Sequence, residues 1–151
     1  MPNGRRKTHR GRRGLELWVV GGLERDSNPQ RIFLEAVVKR NSRTLGPLLV
    51  RRITSGTRVV TDGWGGYVNL STLGFDHVVV NHSENFVNPT DPEVNTQGIE
   101  NVWCVLRRFL RGKGTYTRKG LSAYLSEFLS RKYYCDVFET MISCISEQYT
   151  F

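Results

Sequence analysis

The chain has 151 residues, 38% hydrophobic and 24% charged, which fits one globular domain burying about 70% of its unfolded surface rather than a disordered or fibrous chain. No run approaches the ~20 consecutive apolar residues of a spanning helix, and the start Met1-Pro2-Asn3-Gly4-Arg5-Arg6 lacks the apolar stretch of a secretory signal, so neither a membrane protein nor a secreted one is expected. The net charge of +8 is uneven: Arg5, Arg6, Lys7, Arg10, Arg12 and Arg13 place +6 in residues 1–13, and the rest of the chain carries only +2.

Residues 1–13 therefore read as a basic arm without apolar content. Such arms commonly bind nucleic acid, because neutralising phosphates releases counterions; a targeting signal or a solubilising tail is the alternative. Leu15, Leu17, Trp18, Val19 and Val20 read as a strand, stopped by Gly21-Gly22. Asp26-Ser27-Asn28-Pro29 is a turn, and Arg31 to Val38 forms a second strand that makes a hairpin with the first. Asn41-Ser42 caps a short helix through Leu45, Leu48, Leu49 and Ile53, with Gly46-Pro47 near its start and Ser55-Gly56 at its end. Thr57 to Thr61 is a short buried strand cut by Asp62-Gly63; residues 64–73 form a short helix or turn, and His77 to Val80 another strand. Pro89 and Pro92, among Asn85, Asn88 and Asp91, mark a loop.

Helices follow. Ile99, Val102, Leu106, Phe109 and Leu110 recur at helical spacing over about 97 to 111, where Gly112-Lys113-Gly114 stops the pattern. Leu121, Tyr124, Leu125, Phe128 and Leu129 form the next stripe, and Val137, Phe138, Met141, Ile142 and Ile145 a third. A hairpin, then β/α alternation, then helices predicts a mixed-sheet α/β domain. Cys104, Cys135 and Cys144 are odd in number and form no C-x-x-C, which argues against a disulfide framework or zinc site and for a reducing compartment. His77 and His82 flank a valine run; ordinary hydrogen bonding at a strand end outweighs a metal pair.

Two acids stand out. Asp62 follows a buried strand, where ligand and catalytic groups of α/β sheets gather, and Glu100 lies in the first turn of an amphipathic helix. Two carboxylates ~4 Å apart repel by about 4 kcal/mol at an effective dielectric of 20, so such a pair calls for a cation. The plainer reading is a turn aspartate and a glutamate meeting the helix macrodipole. Glu100, Cys104, Arg107 and Arg111 share a stripe on the same helix, its cations suited either to DNA phosphate or to a solvated basic face.

The words around these acids carry a resemblance. Val59-Val60-Thr61-Asp62-Gly63-Trp64-Gly65-Gly66-Tyr67 resembles the second-aspartate block of DDE transposases of the ISXO-like insertion-sequence group and its eukaryotic Merlin relatives. In the same order as in that family, Trp18 to Arg25 resembles its second strand, Val79-Val80-Asn81-His82-Ser83 with Phe86-Val87 its "VNHS…FV" segment, and Thr96-Gln97-Gly98-Ile99-Glu100-Asn101-Val102-Trp103 its "TxxIExxW" helix start. Tyr124 to Phe128 with Arg131 resembles its closing helix, so the likeness spans about residues 4–135.

The resemblance implies a ribonuclease-H-like mixed sheet flanked by helices over residues 14–135, after the arm at 1–13 and before a C-terminal helix at 136–151. It implies Mg²⁺- or Mn²⁺-dependent cutting and joining of transposon DNA, with Asp62 as second acid, Glu100 as third, and Trp103 packed behind Glu100. DNA is the implied partner; a homo-oligomer is left open, and the expected compartment is the nucleus in a eukaryote and the cytoplasm otherwise.

The likeness also has gaps. The family's first acid lies on a first strand upstream of a basic "KxHRG" segment, which Lys7-Thr8-His9-Arg10-Gly11 matches, but Met1 to Arg6 contain no acid. The expectation is therefore a fold lacking its first, central strand, with either a shifted hairpin or a gap in the sheet, and with weak metal binding and little strand transfer. Asn95 stands where relatives often carry histidine. The alternative is a domesticated DNA-binding or interaction protein that kept the fold without the chemistry.

Overall fold

The computed structural model describes residues 16–80, 94–114 and 117–133. The expected basic arm, the loop at 83–93, His82 and the helix after residue 135 lie outside them.

The first strand, β1 (Trp18–Leu23), pairs antiparallel with β2 (Ile32–Val37), with Trp18 opposite Val37 and Leu23 opposite Ile32. Here the sequence expectation needs correction, because β1 begins later and runs straight through Gly21-Gly22. The glycines make room on both faces rather than ending the strand. A Cβ on Gly21 would lie 2.7 Å from both Leu34 Cδ2 and Trp103 Cη2, and one on Gly22 would lie 2.3 Å from Phe33 Cε1. In the connecting turn Asp26 has φ 54°, a conformation that aspartate tolerates better than most residues, and the Asn28–Pro29 bond is cis.

Alternation along β2 sends Phe33 and Val37 to one face and Leu34 and Ala36 to the other. The first face meets α1 (Ser42–Arg52), which buries Leu45, Leu48 and Leu49. Asn41 is its N-cap, its Oδ1 accepting the Thr44 N–H at 3.0 Å. Pro47 lies inside the helix, where it removes a backbone donor; the burial of leucines on either side holds the helix through it. Glu35 faces the end of α1, 2.6 Å from Arg51 Nη2 and 3.0 Å from Arg52 Nη2.

After a turn, β3 (Arg58–Asp62) pairs parallel with β4 (Asp76–Val80), the connection folding through two short 3₁₀ turns at Gly65–Tyr67 and Ser71–Leu73. Among the described residues no ladder joins β3–β4 to β1–β2: they are two separate two-stranded sheets. Side chains join them instead. Val20 and Val37 of the hairpin share one core with Leu45, Leu48 and Leu49 of α1 and with Leu70 and Phe75, against which Val59, Trp64 and Tyr67 pack.

The opposite face of the hairpin carries a second core. There α2 (Gln97–Arg111) and α3 (Arg118–Tyr133) bury Val102, Leu106, Leu121, Leu125 and Phe128 against Leu34 and Ala36. Tyr133, at the end of α3, donates its hydroxyl to the Ile32 carbonyl at 3.0 Å. Lys113 ties α2 to α3 through Glu127 Oε2 at 3.1 Å and lies 4.7 Å above the Phe109 ring. The sum is an α/β domain of small sheets and helices, and none of its described helices is long and apolar enough to cross a membrane.

Candidate functional site

Asp62 is the last residue of β3 and is exposed. A parallel strand releases its side chains at its C-terminal end, where no further ladder hides them. The Asp62 carboxylate accepts the backbone N–H of Trp64 at 3.3 Å, which holds the turn that leaves the strand. The Trp64 ring lies over Gly66, whose Cβ would sit 1.9 Å from ring atom Cζ3, and meets Tyr67 edge-on at 5.3 Å between centroids. Glycine at 66 is thus required by a close approach. Burial pushes the Tyr67 phenol pKa up, the charge of Asp62 adds to that rise, and Arg40 opposes it.

Arg40 follows β2 and stacks between two indoles, its guanidinium carbon 4.2 Å from the Trp18 ring centre and 4.6 Å from that of Trp64. Sequence reasoning did not single it out. Its signal was only indirect: Trp18 opposes Val37 in the hairpin, which puts the residues just after Val37 beside that ring.

On β3, Thr61 Oγ1 lies 2.8 Å from His77 Nε2 and 2.9 Å from the Asp62 carbonyl, to which it donates. Burial lowers the pKa of His77. A strand-end histidine with an ordinary hydrogen bond is what the sequence suggested.

Glu100 sits exposed in the first turn of α2. Thr96 is the N-cap of that helix, yet its hydroxyl makes no capping bond to the backbone and instead donates to Glu100 Oε1 at 2.6 Å. Asn95 supplies part of the missing cap, its Oδ1 accepting the Gln97 N–H at 3.3 Å, while its carbonyl accepts a bond from Arg25. Asn95 therefore organises the helix entrance. Trp103 packs inward on the second core against Gly21 and Leu34, fixing α2 across β1 one turn beyond Glu100. Cys104, Arg107 and Arg111 are exposed on α2, and Arg108 and Arg111 occupy its last turn, where cations complement the macrodipole. Glu24, at the end of β1, pairs with Arg31 at 2.9 Å as a surface charge.

Asp62 and Glu100 are carboxylates, oxygen donors of the type Mg²⁺ and Mn²⁺ prefer, and both are open to solvent. Among the described residues no group of three or more His, Cys, Asp or Glu could hold a metal ion. The donor type fits such an ion. The chain matches no curated protein and no solved structure. The model of one family, the ISXO2-like transposase domain, matches residues 2–132, nearly the whole sequence, and the chain belongs to that family.

Proposed function

We propose that this transposase domain acts on DNA in transposition, on a ribonuclease-H-like plan, with Asp62 and Glu100 holding Mg²⁺ or Mn²⁺ and with Arg5, Arg6, Lys7, Arg10, Arg12, Arg13, Arg107 and Arg111 contacting phosphates. The observation that carries the reading is the placement of the two acids: Asp62 ends a parallel strand and Glu100 opens a packed helix, both exposed, in a chain of this family. A bound cation would activate the attacking oxygen and stabilise the leaving one. The chain's own part is to aim the carboxylates, through the Trp64 N–H at Asp62 and the Thr96 hydroxyl at Glu100.

A second reading, a DNA-binding or interaction protein without the chemistry, is favoured by one observation, the shortage of metal donors among the described residues. Mn²⁺ titration of the full chain, with and without DNA, separates the two. Transposase chemistry expects weak uptake that strengthens with DNA and disappears in Asp62→Ala and in Glu100→Ala, with Mg²⁺-dependent nicking of supercoiled DNA following the same pattern. Uptake or nicking that survives in either variant refutes the assignment of the acids. DNA binding with neither uptake nor nicking selects the second reading.

A further inference from the structure

We propose that Arg40 is a positioning residue for Asp62, locking the end of β3 to the hairpin by stacking between Trp18 and Trp64. No described backbone ladder joins the two sheets, so their alignment at this end rests on side chains. At this end Arg40 reaches both: Trp18 opens β1 at 4.2 Å, and Trp64 follows β3 at 4.6 Å. A guanidinium plane can stack on two indoles at once, which an ammonium cannot do as well.

From Trp64 the restraint passes to the acid by a short path. The indole is held between Arg40, the Tyr67 ring and the bare face of Gly66, which restrains the residue that carries the N–H. That N–H is the donor to the Asp62 carboxylate. The Tyr67 N–H bonds back to the Trp64 carbonyl at 3.1 Å, closing the turn. Removing Arg40 takes away one of the contacts that hold the ring, which loosens the turn and gives the carboxylate more freedom. The value of this for chemistry rests on the proposed reading of Asp62 as a metal ligand; the positioning itself does not.

Amide hydrogen exchange followed by NMR on the full chain tests it. Two cation–π contacts at an exposed site are worth enough that Arg40→Leu should speed exchange of the Trp64 amide about tenfold. Exchange of core amides such as Leu45 and Val102 should stay unchanged, and the Asp62 and Gly63 resonances should shift. Arg40→Lys keeps the charge without the plane and should give a smaller acceleration. An unchanged Trp64 amide in Arg40→Leu overturns the proposal, as does an equal acceleration across the core, which would make Arg40 a general stabiliser. Mn²⁺ added to the unsubstituted chain provides the separate check: if it fails to broaden the Asp62 and Gly63 amides, the metal reading fails while the exchange result still decides the role of Arg40.

Discussion

The substitution Gly21→Ala tests how the hairpin places the helix that carries Glu100. The new Cβ would stand 2.7 Å from Leu34 Cδ2, 2.7 Å from Trp103 Cη2 and 3.1 Å from the Phe33 carbonyl oxygen. Carbon pairs prefer at least 3.5 Å, so two neighbours must each yield about 0.8 Å. The carbonyl belongs to the β1–β2 ladder and cannot yield without breaking it. Leu34 is buried against α2 and α3, so the strain falls mostly on Trp103 and on the helix behind it. Overpacking of this kind costs about 1–3 kcal/mol, and relief of glycine's strand penalty returns about 0.5–1 kcal/mol. The net loss of about 0–2.5 kcal/mol, centred near 1 kcal/mol, should lower Tm by up to roughly 10 °C in a domain of this size. Thermal unfolding by circular dichroism measures it, and the near-ultraviolet tryptophan band should change with it. Gly65→Ala is the control, since nothing lies within 4 Å of its Cβ position. A Gly21→Ala chain as stable as the original, with an unaltered tryptophan band, would refute the packing argument.

Further expectations concern charge. Burial raises the Glu35 pKa, but the hydrogen bonds and charges of Arg51 and Arg52 outweigh it and hold the carboxyl below its ordinary value of 4.5. Its contribution, about 0.2–1 kcal/mol for so exposed a cluster, is therefore present above pH 4.5 and lost as the pH falls through the lower folded value. Urea unfolding of Glu35→Gln should match the original chain at acid pH and fall below it at pH 7; equal stability at both would disprove the pairing. His77 has its pKa lowered below 6.5 by burial, so the unfolded chain takes up its proton more readily. Stability should decline as the pH drops through 6.5 and level off below the folded value, and His77→Asn should show less of that decline. If all six charges of residues 1–13 contact phosphates, log K for DNA against log salt should have a slope of about −5. A slope unaltered by deleting residues 1–13 would remove the arm from the interface.

Much of this arrangement was legible in the sequence because it is local. The stripe from Ile99 to Leu110 marks α2, since helical periodicity is written in the side chains that face the core. Asn41 announces α1 because a cap acts within one turn. Gly21-Gly22 misled because two glycines ordinarily punctuate a chain, and only partners far along it, Phe33 and Trp103, reveal that they are spaces for rings. At the site, the two acids could be picked out by family resemblance, but their aiming could not. Thr96 should have capped α2 by its residue type and turned to Glu100 instead, a choice set by three-dimensional surroundings. Arg40 escaped notice because stacking on two indoles leaves no spacing rule in the chain.

The shared core beneath α1 has a mechanical consequence. Hydrogen-bonded strands resist slippage because every bond must break together, whereas apolar contacts are non-directional and exchange neighbours at small cost. The seam between β1–β2 and β3–β4 is of the second kind among the described residues. Glu100 travels with the hairpin through Trp103, and Asp62 travels with the parallel pair. Shear along that seam would alter the separation of the two acids directly.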